Sequence, residues 1–280
     1  MSECANYVKG KVIIVTGASS GFGQILAVKT AKMGAKVICA ARSEAKLQKL
    51  VEEIKADGGC AEYIVTDVTV MEQVQAMADF AVATYGRIDV LVNNAGTMPL
   101  AFFSDHEKAL DKWDQCIDIN LKGVLHGICA VYDQMMAQGE GQIINTSSVY
   151  GNGPVEGSAV YGMTKSGIGF MSDALRVETK GKIRVTTIRP TGCATNLSST
   201  VVNPLAAKGI LANVFDEAMS LSVQIAQGTA DPAYSDPESI KYNSLNPEYL
   251  VDAMIYAINQ PMGVSISDVT VRASGDFLTL

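Results

Sequence analysis

The chain has 280 residues, 48% hydrophobic and 18% charged, enough for one large α/β domain or two small ones with an ample core. A net charge of −7 without any basic block argues against nucleic-acid binding, because phosphate contacts need clustered Lys and Arg. No apolar run approaches the roughly 20 residues of a spanning helix, and the opening MSECANYVKGK does not resemble a signal peptide, so the expectation is a cytoplasmic protein without membrane partners.

The elements follow in chain order. Lys11–Thr16 is a short apolar strand that runs into the turn GASSGFG and an amphipathic helix at Gln24–Lys32. Ala35–Ala41 reads as a strand buried on both faces, and a charged helix follows from Ser43, its candidate N-cap, to Ala56. Glu62–Thr66 is the third strand. Thr69–Glu72 fits a capping box for a helix to Tyr85. Ile88–Val92 is the fourth strand, ahead of NNAG at 93–96. One long helix is predicted over 108–137, with Trp113, Ile117 and Leu121 on one face. Gln142–Thr146 is the fifth strand, the next helix runs to Lys180, and Ile183–Ile188 is the sixth strand.

Six alternations of strand and helix with short links predict a doubly wound parallel sheet, Rossmann-like, in a single domain over 1–280. After Pro190 the pattern changes, and residues 192–245 mix small polar residues with isolated apolars. So long a break is expected to be a C-terminal substrate lid rather than a structureless loop. Regular structure returns where Asn246 caps and Pro247 opens a helix. A last strand at Asp268–Arg272 is expected to join the sheet edge.

Three stretches carry chemistry. Gly17, Gly21 and Gly23 stand at G-x-x-x-G-x-G between a strand and a helix, so Gly17, Ser19, Ser20, Gly21, Phe22 and Gly23 form a candidate pyrophosphate cradle at a helix N-terminus. At the end of the second strand, where an NAD enzyme places an acid for the ribose, the chain reads Ala40-Ala41-Arg42-Ser43. Arg42 offers bidentate donors to a 2′-phosphate, which favours NADP(H) over NAD(H), unless it is an ordinary solvated arginine. Asp67 and Val68 could contact adenine, although Asp67 could equally cap the strand end. Tyr161 and Lys165, at i and i+4 on a helix, put an ammonium beside a phenol, which is expected to lower the Tyr pKa. The Cys at 4, 39, 60, 116, 129 and 193 form no CxxC and no metal-like cluster with His106 and His126, and read as small buried hydrophobes.

TGASSGFG, NNAG, Asn120, Ser148, Tyr161-x-x-x-Lys165 and the Pro190 loop, in this order and spacing, resemble the short-chain dehydrogenase/reductase family over about residues 9–195. The resemblance implies that Tyr161 is the general acid in carbonyl reduction and the base in reverse, that Lys165 tunes it and holds the nicotinamide ribose, and that Ser148 holds the substrate oxygen. It implies that Asn120 holds a relay water, that Asn94, Ala95 and Gly96 line the adenosine ribose, and that Asn93 ties neighbouring strands. Pro190, Gly192, Cys193 and Thr195 would close over the carboxamide. Thr191 stands where the family usually has Gly, and Cys193 where it has an aliphatic residue. Cys193 is not read as a nucleophile, since no His lies near it in sequence.

The expected function is NADP(H)-dependent interconversion of a ketone or aldehyde and an alcohol, on a small and apolar substrate. The alternatives are a 3-oxoacyl-type reductase and, from a different class, a non-catalytic nucleotide-binding regulator. The resemblance also implies a homodimer or homotetramer through helices 108–137 and 158–180. No metal is expected.

Overall fold

A computed structural model describes residues 5–193 and 195–280; Cys4, one of the cysteines singled out in the sequence, lies outside them. The strands are β1 (Val12–Thr16), β2 (Lys36–Ala41), β3 (Cys60–Val65), β4 (Val90–Asn93), β5 (Gly141–Thr146), β6 (Ile183–Pro190) and β7 (Asp268–Val271). They form one sheet in the order β3-β2-β1-β4-β5-β6-β7, and every pairing is parallel.

The central strand shows why the sheet is buried on both faces. All five β1 side chains are buried. Ile13 and Val15 pack with Leu26, Leu50 and Met254 on one face, while Val12 and Ile14 pack with Met77, Val131 and Ile168 on the other. A period of two sends alternate side chains to opposite layers, and each buried Val or Ile stabilises the fold by about 1.5–3 kcal/mol. The first layer is built from α1 (Gly21–Lys32), α2 (Glu44–Ala56) and the late α9 (Pro247–Ile258). The second comes from α3 (Met71–Tyr85), α5 (Gly123–Gln138) and α6 (Ala159–Glu178), while α4 (His106–Cys116) packs in separate clusters with Leu100 and Ala101.

Three local expectations change. Ser43 occupies the N-cap position of α2 but makes no side-chain capping bond. Val70, not Thr69, caps α3, because the amide and hydroxyl of Thr69 both donate to Asp67 Oδ1, at 3.0 and 2.8 Å. The long helix is continuous but carries a π turn at Ile117–Lys122, which buries Ile119 and Asn120 and leaves Ile117 and Leu121 half-buried. Asn246 does cap α9, its side chain accepting from the Glu248 amide at 2.9 Å.

Residues 192–245 hold more regular structure than their composition signals. Short 3₁₀ turns at Asn196–Thr200 and Pro204–Ala207 lead into a helical turn, α7 (Lys208–Leu211), and a full helix, α8 (Phe215–Gln227). Only Ala218 and Leu221 of α8 are buried, so most of this helix faces solvent.

Candidate active site

The chain reverses its direction across the sheet between β1 and β4, and the crevice beyond the carboxyl ends of strands at such a switch is where α/β sheets bind ligands. A cavity of about 910 Å³ opens there. Its lining takes in every cofactor residue predicted from the sequence except Gly23, and of the four catalytic candidates Ser148, Tyr161 and Lys165.

The glycine turn is shaped by contacts that exclude side chains. Gly17 has φ +66°, a conformation that favours glycine, and a Cβ there would stand 2.9 Å from the Ala95 Cα. A Cβ on Gly23 would meet the Gly17 carbonyl oxygen at 2.6 Å and the Asn94 Nδ2 at 2.7 Å. Asn94 fixes this approach by donating from Nδ2 to the Thr16 carbonyl at 3.1 Å. Ser20 makes no side-chain cap on α1, whose first turn holds no acidic residue, so the helix N-terminus keeps its attraction for anions. The cradle and this free terminus fit a pyrophosphate.

Arg42 is exposed, and it lines the cavity together with Ser43 and Lys46. Burial pushes the Asp67 carboxyl up, but the two Thr69 hydrogen bonds and the nearby Arg42 charge outweigh this and hold it below the usual carboxylate range. The Asp67 amide donates to Gln73 Oε1 at 2.8 Å. The two cations fit a phosphate at this end.

Tyr161 and Lys165 lie on α6, one turn apart, and both are buried. The Lys165 ammonium stands 5.8 Å from the centre of the Tyr161 ring and donates to the Thr146 carbonyl at 2.8 Å. Burial lowers Lys165 to about 8, against a small opposing effect of Cys116. Burial raises Tyr161 above the usual phenol value, and a hydrogen bond with Ser148 offsets only part of this. The expected lowering of the phenol by its lysine is therefore not found: desolvation of both groups dominates, and the ammonium is bound to a carbonyl. Ser148 caps the turn Val149–Gly151, accepting from the Tyr150 amide at 3.3 Å. Asn120, fully buried in the π turn, forms a closed pair with Thr97: its Nδ2 donates to the Thr97 carbonyl and its Oδ1 accepts from the Thr97 amide, each at 2.9 Å. This side chain fixes the 94–97 loop beside Lys165. Asn93 donates to Asn145 on the neighbouring strand at 2.9 Å, the strand tie expected of it.

The loop after β6 explains its unusual Thr191, whose hydroxyl donates to the Val271 carbonyl at 3.0 Å and staples the loop to β7. The Gly192 carbonyl accepts from the Leu245 amide, and Thr195 caps the next turn. Burial pushes the Cys193 thiol up to about 12, so it is a thiol at neutral pH and a poor nucleophile. The sequence reading missed Lys46, Tyr150, Leu100 and Leu278, all of which line the cavity. Only Lys46 left a signal, standing four residues after Arg42 in the first turn of α2.

Residues 11–205 match the family described as short chain dehydrogenase. An uncharacterized oxidoreductase of Listeria innocua is 37% identical over 267 residues, covering 94% of this chain and 96% of its own length. Another, from Staphylococcus saprophyticus, is 34% identical and covers 98% of this chain and 100% of its own. Among solved structures, a variant of actinorhodin polyketide ketoreductase with NADPH aligns with a TM-score of 0.77 at 26% identity, over 95% of this chain and 97% of its own. A metagenomic short-chain oxidoreductase with NADP gives 0.72 at 28%, over 95% and 98%. A 7α-hydroxysteroid dehydrogenase with NADH shares the fold at 0.78 and 22%, covering 98% of this chain and 97% of its own, so both cofactor types occur on it. With sheet, switch-point cavity and sequence in agreement, this chain belongs to the short-chain dehydrogenase/reductase family and is one of its oxidoreductases.

Proposed function

We propose that the protein interconverts a ketone or aldehyde and an alcohol on an apolar substrate, using NADP(H). The observation that carries this is the meeting of Ser148, Tyr161 and Lys165 on the cavity that also holds the glycine turn. Gly17, Ser19, Ser20, Gly21, Phe22 and Gly23 would hold the pyrophosphate, Asp67 and Val68 the adenine, and Asn94 to Gly96 the adenosine ribose. Pro190, Gly192, Cys193 and Thr195 would hold the carboxamide. NADP(H) is favoured because β2 ends without a carboxylate and two cations, Arg42 and Lys46, line the cavity there.

NADPH, when bound, supplies the hydride. Tyr161, raised by burial and protonated at neutral pH, donates its proton to the carbonyl oxygen, and Ser148 donates a hydrogen bond to that oxygen as charge develops. The Tyr150 amide occupies one lone pair of the Ser148 oxygen and does not compete for its proton. Lys165 stabilises the phenolate left behind. Asn120 acts through the loop and π turn that position Lys165, next to a relay water. Residues 192–245 supply the apolar roof through Leu197, Val201, Pro204, Ile210 and Leu211. Among the described residues, the only charged ones lining the cavity besides Lys165 are Arg42, Lys46 and Asp67, at the adenosine end, so a charged carrier-bound acyl group finds no partner at the substrate end.

The test is steady-state reduction of a ketone panel with NADPH and with NADH. Tyr161→Phe is expected to lower kcat roughly 10³-fold while NADPH still binds. Undiminished turnover would remove Tyr161 from the chemistry, and equal KM values for the two cofactors would remove the NADP preference.

A further inference from the structure

Tyr150 is a second phenol in the cavity, and the chemistry above leaves it unused. Its ring stands edge-on to Tyr161, with centroids 5.4 Å apart and planes at 71°. It bridges two apolar clusters, one with Leu100 and Tyr161, the other with Val149, Ile210 and Leu211. Its hydroxyl has no hydrogen-bond partner among the described residues, and burial alone raises its pKa, with no offsetting bond. A phenol that lines a cavity normally finds a partner there.

The other polar groups of the roof are satisfied within the protein. Thr200 Oγ1 accepts from the Met98 amide at 2.8 Å and donates to the Leu197 carbonyl at 2.7 Å. Ser198 donates to the Thr195 carbonyl at 3.3 Å. The tail closes the same end, where Leu278 lines the cavity and both the amide and hydroxyl of Thr279 donate to the Ile210 carbonyl. The roof of the substrate end is thus apolar, and Tyr150 offers it a side-chain hydroxyl with no protein partner among the described residues, beside the Tyr161 ring.

Resting on the proposed reaction, we infer that the Tyr150 hydroxyl binds a second, neutral oxygen of the substrate, so that the substrate class is an uncharged apolar ketone or aldehyde with another carbonyl, ether or hydroxyl oxygen a few bonds from the reacting carbon. A neutral phenol both donates and accepts, which suits any of these groups. A carboxylate or phosphate would find no free cation there, because Lys165 is bound to the Thr146 carbonyl and Arg42 and Lys46 lie at the adenosine end.

Tyr150→Phe removes the hydroxyl and keeps the ring. Wild type and variant are compared on propiophenone against its α-diketone, and on a linear methyl ketone against the β-keto ester of equal length. The readout is the ratio of kcat/KM for the two-oxygen compound to that for the one-oxygen compound; comparing the ratio between enzymes cancels intrinsic carbonyl reactivity. The variant is expected to lose roughly 10-fold in this ratio for at least one pair, mostly through KM for the two-oxygen member. A retained rise in Tm with NADPH shows that it is folded. Ratios within twofold of wild type for both pairs, or a wild type that reduces only one-oxygen ketones, would overturn the role of Tyr150 and leave the proposed reaction standing. A wild type that reduces no carbonyl in the panel would overturn the reaction itself.

Discussion

Tyr161 and Lys165 sit one turn apart on α6, and burial acts on them in opposite senses: the phenol holds its proton more tightly and the ammonium less so. With Lys165 lowered to about 8, the ammonium that steadies the phenolate is present below that pH and lost above it. The free enzyme's profile should show this, because kcat/KM for NADPH reports groups of the unliganded protein. Reduction is expected to be level up to neutral pH and to fall about tenfold per unit well above the lysine pKa. A profile still level at pH about 10 would show that Lys165 keeps an ordinary value. The pairing of these residues was legible from their spacing alone, while the direction of their shifts was not. Spacing reports which side chains share a face; desolvation depends on how much chain covers them.

The glycine turn and the π turn place the site, and each does so through contacts between elements. Gly23 opens α1 where β1, the turn and the loop after β4 converge, with the Gly17 carbonyl and Asn94 too close for any side chain. Gly23→Ala is expected to displace that backbone, cost about 1–3 kcal/mol of stability, and raise the Kd for NADPH more than roughly 10-fold as the cradle widens. Thermal melting and NADPH fluorescence titration measure the two effects; unchanged values in both would show that the close approach is not needed. The turn was legible because glycines there are a local requirement. The π turn at Ile117–Lys122 was not, since its register follows from Asn120 bonding to Thr97, a partner 23 residues away. The helix α8 was missed because Phe215, Ala218, Leu221 and Ile225 read as isolated apolars rather than as one helical face, and the fold buries only two of its residues and leaves Met219, Val223 and Ile225 exposed.

Across the whole molecule, α6 presents Met163, Phe170 and Val177 outward at intervals of two turns, with Phe170 81% and Val177 77% exposed, and α5 adds Leu125. So continuous an apolar line is unusual on a free surface, and a second copy of the chain packing through α5 and α6 would cover it. Phe170→Asp is therefore expected to convert a homo-oligomer to monomer in sedimentation or light scattering, and a wild type that is already monomeric would remove this assembly. The sequence by itself determined the parallel sheet, the glycine turn and the shared helix face of Tyr161 and Lys165, because each rests on short-range periodicity or spacing along one element, while Ser148 entered only through the family resemblance. The tertiary structure decided the rest: the Leu278 tail over the cavity and the unpartnered hydroxyl of Tyr150. Those features arise where segments distant in sequence bury one another, and burial is a property that no single segment encodes.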